Sequence, residues 1–192
     1  MSIIDPERIR LRARLLAALN EDAQLEQAID RMALALKRGG KVLLFGNGGS
    51  ATQSSHFAAE LVNKFYFRRR ALPALALAAD MASVTSIAND EDFRFVFSRQ
   101  LEAYGRKDDV ALGITTSGAS ANVLLGLAKA REMGLGTVAL CGNRPQALLQ
   151  VPVDVVIAVD AGDTPAVQEM HLFALHVMAE TIEAKLFGGD HD

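Results

Sequence analysis

The alternation of short apolar runs with helical stretches is the feature that most constrains how this chain can fold. Runs of five to seven residues, nearly continuous in apolar side chains, are typical of parallel strands that are buried on both faces. Five such runs follow residue 40: Lys41–Phe45, Pro73–Ala78, Val110–Thr115, Thr137–Cys141 and Val153–Val159. Stretches with helical periodicity separate them. The chain is therefore predicted to be an α/β protein, a three-layer sandwich with a five-stranded parallel sheet flanked by helices.

A pair of helices is predicted before the sheet. Positions 5–7 (Asp-Pro-Glu) form a helix start signal, and Gly39-Gly40 ends the second helix after about Lys37. The apolar faces of the two helices exceed what one small sheet can cover, so we expect an oligomer. The chain is interpreted as a single domain of residues 1–192 with three parts: the helical pair in 1–38, the α/β core in 39–187 and a frayed tail in 188–192.

Composition excludes several classes of protein. Of the 192 residues, 50% are hydrophobic and 22% are charged, a balance that permits a sizeable core and excludes disorder. The net charge of −3 gives no bulk attraction to nucleic acid or to an anionic membrane. No apolar run approaches the roughly 18 residues of a membrane span. With one cysteine, Cys141, and charges among the first residues, the sequence predicts a cytoplasmic location.

The first strand leads directly into a glycine-rich turn, FGNGGS at positions 45–50. In a parallel sheet, ligands bind beyond the carboxyl ends of the strands, and free N–H groups at a helix start attract an anion. The turn matches neither GxGxxG nor GxxxxGK[ST], and no lysine follows, which argues against a nucleotide. Taken alone, the segment is explained equally well as a tight strand-to-helix turn.

The third strand ends in TTSGAS at positions 115–120, which we call the hydroxyl loop. Four hydroxyl groups at a helix N-terminus offer neutral donors, together with the helix dipole, to a phosphate group. The alternative is one serine that caps the helix beside incidental neighbours. Four hydroxyls, at the same end of the sheet as the glycine-rich turn, favour a phosphate site.

Ionisable side chains cluster on two predicted helices. His56 and Glu60 are four residues apart, so they share one helix face. The last helix carries QEMH at 168–171 and then His176. A histidine on a mainly apolar helix is more often a core or interface residue than a catalytic one, and spacing alone leaves both interpretations open.

The combination of motifs is more specific than its parts. GNGGS followed by HFAAEL, AND at 88–90, TTSGAS and VQEMHLFALH resembles the phosphoheptose isomerases of the sugar isomerase (SIS) family over nearly the whole chain. The resemblance implies a flavodoxin-like fold, no organic cofactor and a homotetramer with active sites at subunit boundaries. It also implies conversion of D-sedoheptulose 7-phosphate to D-glycero-D-manno-heptose 7-phosphate through an enediol, in bacterial heptose biosynthesis.

The resemblance also implies roles for individual residues. Glu60 would be the general base and His176 its acid partner. The expected substrate-binding residues are Asn47, Gly48, Gly49, Ser50, Asp90, Thr115, Thr116, Ser117, Ser120 and Gln168. The residues that match zinc ligands of the family are His56, Glu60, Gln168 and His176.

Two features leave the zinc set open. On one ideal helix Gln168 and His176 lie about 12 Å apart along the axis, so both can reach one ion only near full extension. Glu60, moreover, cannot be a tightly held ligand and a free base at the same moment. Two histidines with oxygen donors are nevertheless an acceptable set for zinc.

Several positions depart from the family pattern and leave alternatives open. Lys64 stands where the family often has arginine, Ala166 where a basic residue is found, and Pro165 where Asp sometimes occurs. An isomerase or sensor for another sugar phosphate is therefore one alternative, and a non-catalytic relative that binds the replication initiator is another. The arginines at 68–70 are interpreted as a solvated turn.

Overall fold

A parallel sheet of five strands, in the order β2-β1-β3-β4-β5, runs through the protein. The computed structural model describes residues 5–142 and 146–188. The strands are β1 Val42–Gly46, β2 Ala74–Ala76, β3 Val110–Thr115, β4 Gly136–Cys141 and β5 Val155–Ala158. The helices are α1 Pro6–Asn20, α2 Ala23–Lys37, α3 Gly49–Val62, α4 Met81–Asp90, α5 Val96–Tyr104, α6 Ala121–Glu132, α7 Gln146–Leu149 and α8 Thr164–Phe187, with a 3-10 turn at Phe93–Phe95.

The predicted sheet is confirmed, and each of its strands coincides with one of the apolar runs. All neighbouring strands pair in parallel, and β1 pairs with β3 from Val42 opposite Val110 to Gly46 opposite Ile114. Every residue of β1 and β3 is buried, which explains why their sequences lack polar alternation. β2 and β5 are shorter than their runs, because the flanking residues continue as loop.

Helices cover both faces of the sheet, which confirms the three-layer sandwich. Side chains of β1 alternate between two core clusters: Leu44 packs with α2, α3 and α8 on one face, while Phe45 packs with α5 and α6 on the other. The Phe45 and Phe97 rings lie 5.2 Å apart between their centroids. No helix in ranges 5–142 and 146–188 is both long and apolar enough to cross a bilayer.

The N-terminal helical pair is present as predicted. The Asp5 side chain accepts a hydrogen bond from the Glu7 N–H at 2.9 Å and so caps α1. Only Leu19 of α1 is buried, and the Arg12 guanidinium pairs with Glu169 of α8 to join the two helices. The predictions for residues 1–4, for Pro145 and for most of the tail, 189–192, fall outside the described residues.

The interpretation of the arginines at 68–70 as one solvated turn is wrong for the middle one. Arg68 and Arg70 are exposed, but the Arg69 side chain is only 2% exposed. Its Nε lies 2.8 Å from Oε1 of Glu183, whose side chain is 1% exposed. A carboxylate 114 positions away along the chain thus draws this arginine into the interior.

His171 is a fully buried histidine on α8. Neither ring nitrogen has a hydrogen-bond partner of normal geometry. Burial lowers the pKa of His171 from 6.5 to about 4, and the nearby Cys141 backbone offsets this only in part. The buried imidazole is therefore neutral at physiological pH.

We expect His171 to make stability depend on pH. The unfolded chain takes up a proton near pH 6.5 that the folded protein takes up only near pH 4. The free energy of unfolding should therefore fall by about 3 kcal/mol as the pH drops through that window. Urea unfolding of the wild type and of His171→Leu between pH 4 and 7 measures this contribution. All other titratable groups are common to the two proteins, so the difference between their curves reports His171. Parallel curves for the two proteins would contradict it.

Candidate active site

The glycine-rich turn joins β1 to α3. Gly48 has a φ of +53°, in the left-handed region that favours glycine, and it precedes the first residue of α3. No side chain caps this helix start. A Cβ atom on Gly46 would lie 2.8 Å from the Cβ of Ser50, so the turn needs glycine here as well. The start of α3 is thus closed by its own backbone, because the Ser50 and Ala51 N–H groups donate to the carbonyl groups of Asn47 and Gly48 at 3.0 Å.

A reciprocal amide pair ties the glycine-rich turn to α6. Nδ2 of Asn47 donates to Oδ1 of Asn122 at 2.8 Å, and Nδ2 of Asn122 donates to Oδ1 of Asn47 at 2.8 Å. Asn47 was expected to bind sugar hydroxyls, and it retains one N–H and one oxygen lone pair for that purpose. Sequence reasoning missed Asn122, whose only signal is its place in the first turn of the helix after the hydroxyl loop.

The hydroxyl loop forms one connected group at the carboxyl end of β3. Oγ1 of Thr115 lies 3.0 Å from Oγ of Ser120 and accepts a hydrogen bond from the Gly118 N–H at 3.1 Å. Ser120 occupies the N-cap position of α6, yet its side chain makes no capping hydrogen bond. The simple capping alternative therefore does not describe this serine.

A cavity of about 240 Å³ opens beside the hydroxyl loop, beyond the carboxyl ends of β3, β4 and β5. Thr116 and Ser117 form one wall, and the segment 160–164 that leads into α8 forms the opposite wall. The hydroxyl loop itself follows β3, next to the point between β1 and β3 where the strand order reverses and where flavodoxin-like sheets bind ligands.

His56, Glu60 and His176 form what we call the acid–base cluster. Nε2 of His56 lies 2.9 Å from Nε2 of His176 and 3.5 Å from Oε1 of Glu60. The structure therefore brings together the two helices that sequence reasoning selected, with His56 between the predicted base and acid. The side chains of His56 and Glu60 are 43% and 24% exposed, so a small molecule can reach them.

The side-chain amide of Gln168, on α8, packs against the glycine-rich turn. A Cβ atom on Gly49 would approach Nε2 of Gln168 to 2.4 Å, so only glycine admits the amide in this position. The carbonyl oxygen of Gln168 accepts a hydrogen bond from Nε2 of Gln53 at 2.7 Å. The two predicted roles of Gln168, in substrate binding and in zinc binding, stay predictions.

The carboxylate of Asp90, another predicted substrate residue, is hydrogen-bonded to its neighbour in the sequence. It is exposed at the end of α4, and its Oδ1 accepts a hydrogen bond from Nδ2 of Asn89 at 2.8 Å. Within the described ranges it forms no hydrogen bond or ion pair with the hydroxyl loop or the acid–base cluster, and its role stays a prediction.

The acid–base cluster has the chemistry of a zinc site. Two imidazoles and a carboxylate are donors that zinc accepts. Two tetrahedral nitrogen ligands would lie about 3.3 Å apart, so the imidazoles, now 2.9 Å apart, need to separate only slightly. As placed, no group of three or more His, Cys, Asp or Glu side chains among residues 5–142 and 146–188 meets the geometry of a bound ion.

Similarity to known proteins shows first which family this chain belongs to. The SIS domain family matches residues 10–142, so the chain is a SIS-domain protein. It is 46% identical to the phosphoheptose isomerase of Desulfovibrio desulfuricans over 93% of this chain and 83% of the relative. It is 41% identical to that of a Geobacter species, strain M21, over 93% and 94%. Within the SIS family, the chain belongs to the phosphoheptose isomerases.

Solved structures agree with this placement. The phosphoheptose isomerase of Neisseria gonorrhoeae is 37% identical, with a TM-score of 0.84 over 93% of this chain and 94% of that one. The protein of the same name from Francisella tularensis is 34% identical, with a TM-score of 0.85 over 92% of each chain. The expected family and fold are thus confirmed.

We expect Ser120→Ala to weaken the binding of inorganic phosphate about tenfold, because one hydrogen bond to an anion is lost. NMR titration with phosphate measures the effect. Asp22→Ala is the matched control, since Asp22 does cap its helix, accepting from the Gln24 N–H at 2.8 Å. That variant should lose about 1 kcal/mol of stability and keep phosphate affinity. Unchanged phosphate binding in Ser120→Ala would contradict the proposed phosphate site.

Proposed function

We propose that the protein is an aldose–ketose isomerase that converts D-sedoheptulose 7-phosphate to D-glycero-D-manno-heptose 7-phosphate. The observation that carries the proposal is the contact of His56 with both Glu60 and His176, which joins the predicted base to the predicted acid. The relatives named phosphoheptose isomerase, at 41–46% identity over most of their length, support the same reaction.

The hydroxyl loop would hold the phosphate end of the substrate. Ser117 and Thr116 face the cavity, and the start of α6 has no side-chain cap that would compete with an anion. Ser50, in the first turn of α3, adds a hydroxyl from the neighbouring loop. Fixing the phosphate here directs the other end of the sugar away from the loop.

The acid–base cluster supplies the proton transfers of the isomerisation. The Glu60 carboxylate removes a proton from C1, beside the C2 carbonyl, and the electrons form the enediol double bond. Glu60 then returns the proton to C2, while electrons from the C1 hydroxyl form the new C1 carbonyl. His176 moves the accompanying proton from O1 to O2. The imidazole of His56 lies between the two groups and orients both.

A zinc ion is the cofactor that we propose for this cluster. His56, Glu60 and His176 would hold it, because their donor atoms already converge, and Glu60 would exchange between binding the ion and acting as the base. When bound, the ion polarises the carbonyl and stabilises the developing negative charge on oxygen. Gln168, the fourth residue of the expected set, lies on Gly49 and would need to turn toward the cluster.

Replacing the base tests the reaction. With sedoheptulose 7-phosphate as substrate, we expect Glu60→Gln to lower kcat by at least about 100-fold, because a proton acceptor is lost while the shape is retained. Product formation followed by NMR measures it. Equal turnover in the two proteins would refute the assignment of Glu60, and an inactive wild type would refute the proposed reaction.

The same assay tests whether turnover depends on zinc. Wild-type protein dialysed against a chelator should lose turnover and regain it with zinc, and His56→Ala should retain less zinc by mass spectrometry. Full activity in zinc-free protein would overturn the cofactor and leave the role of Glu60 standing.

We also propose a homotetramer with active sites at subunit boundaries. Large apolar side chains remain exposed on α1, α2 and α8. Among them are Ile9, Leu34 and Phe173, which are 54%, 47% and 39% exposed. A groove of about 390 Å³ also lies between α2 and α8. Sedimentation equilibrium should give four times the chain mass of 20.6 kDa, and a monomer would contradict the proposal.

The departures from the family pattern have structural explanations. Ala166 is completely buried, so in this chain position 166 does not face a substrate. Pro165 lies in the first turn of α8, where its missing N–H costs nothing, and Lys64 is exposed beyond the end of α3. Retention of the acid–base cluster favours the heptose isomerase over a non-catalytic initiator-binding relative. We place the enzyme in the cytoplasm, with its product directed to a surface polysaccharide.

A further inference from the structure

Arg69 and Glu183 form the most completely buried ion pair of the described residues. Their side chains are 2% and 1% exposed, whereas every other pair in the ranges 5–142 and 146–188 keeps at least one partly exposed side chain. A buried pair adds little stability compared with well-packed apolar residues. Stability alone is therefore a weak explanation for this pair, and its contacts suggest another role.

Arg69 binds the end of the helix that carries Glu60. Its Nη2 donates to the carbonyl oxygen of Glu60 at 2.8 Å, and its Nη1 donates to those of Leu61 at 2.9 Å and Asn63 at 3.4 Å. The last carbonyls of a helix lack partners within the helix, and a cation there also matches the helix dipole. One guanidinium therefore fixes the backbone of the proposed base.

Glu183 binds the segment that follows the same helix. Its carboxylate accepts hydrogen bonds from the N–H groups of Phe65 at 2.9 Å, Tyr66 at 2.7 Å and Phe67 at 3.3 Å. Burial alone would raise the pKa of Glu183, but the three amide donors and Arg69 together lower it. The carboxylate is thus ionised and saturated with donors.

The pair also reaches the proposed acid. Glu183 lies seven residues after His176 on α8, which places both on one face two turns apart. The ring of Phe65, whose N–H binds Glu183, packs against the imidazole of His176 with 5.8 Å between centroids. Through Glu183 and Phe65, the end of α3 is joined to the part of α8 that carries His176.

We propose that Arg69 and Glu183 are positioning residues, which set the distance between the general base Glu60 and the acid His176. The pair touches no substrate and acts through the backbone of α3 and through Phe65. This inference rests on the proposed isomerase function, because it assigns to the pair a role in the efficiency of that reaction.

The chain offers a matched control for the test. Asp109 is likewise a buried carboxylate, with its side chain 2% exposed, and it pairs with Lys41 at 2.6 Å. It also accepts from the N–H groups of Lys41 and Arg106 at 2.9 and 2.8 Å. Within the described residues, the hydrogen bonds of its carboxylate go to Lys41 and Arg106, and none goes to the acid–base cluster. Asp109→Asn therefore removes a similar buried charge without touching α3 or α8.

The decisive comparison is Glu183→Gln with Asp109→Asn. We expect Glu183→Gln to lower kcat by about 10- to 100-fold with little change in KM, because misplaced groups bind substrate but transfer protons poorly. Asp109→Asn should lose stability in thermal unfolding and keep the wild-type kcat. Wild-type kcat in Glu183→Gln, with stability loss alone, would overturn the inference.

A milder variant keeps the test decisive if Glu183→Gln unfolds the protein. Arg69→Lys retains a cation beside Glu183 but cannot bind the carbonyl groups of Glu60, Leu61 and Asn63 together, so we expect most of the stability to be kept while kcat falls. Wild-type kcat in Arg69→Lys would overturn the inference.

Ring signals of His56 and His176, recorded by NMR at one fixed pH, give a readout that needs no turnover. They should shift in Glu183→Gln and not in Asp109→Asn. Unshifted signals in Glu183→Gln would overturn the positioning role. This result does not depend on turnover, so it is distinct from an inactive wild type, which would overturn the proposed isomerase reaction.

Discussion

The pairing of β1 with β3 is the constraint on which the rest of the site depends. Because the strands are parallel and in register from Val42 to Gly46, the loops that leave them emerge side by side at one edge of the sheet. One loop contains only glycine, asparagine and serine, and the other is rich in hydroxyls. The Asn47–Asn122 amide pair then fixes their separation. An antiparallel or reordered sheet would place these two loops at different edges.

Helix α8 begins at that edge and carries the remaining groups along its length. Its first turns face the hydroxyl loop through Val167 and the glycine-rich turn through Gln168, and its middle presents His176 to His56. Further along, Glu183 binds the segment after α3. One rigid helix thus spans the proposed phosphate site, the acid–base cluster and the buried ion pair. Its core-facing residues, including the neutral His171, hold it against the sheet.

Much of this could be predicted from local sequence patterns. Continuous apolar runs identified all five strands, and the four-residue spacing of His56 and Glu60 identified a shared face. The family resemblance linked that face to His176. Residues defined by distant partners could not be predicted. Arg69 stands between two exposed arginines, and only the fold shows that Glu183 draws it inside. Asn122 has no motif of its own, and its pairing with Asn47 depends on how α6 packs beside the glycine-rich turn.

The hydroxyl loop has a consequence for how the enzyme meets its substrate. Hydroxyl and amide dipoles act over a few ångströms, and no lysine or arginine lies within the loop. A chain with net charge −3 offers a phosphorylated sugar no long-range attraction either. The loop itself therefore adds no charge-based steering, and it holds a phosphate only through groups that the anion reaches at close range.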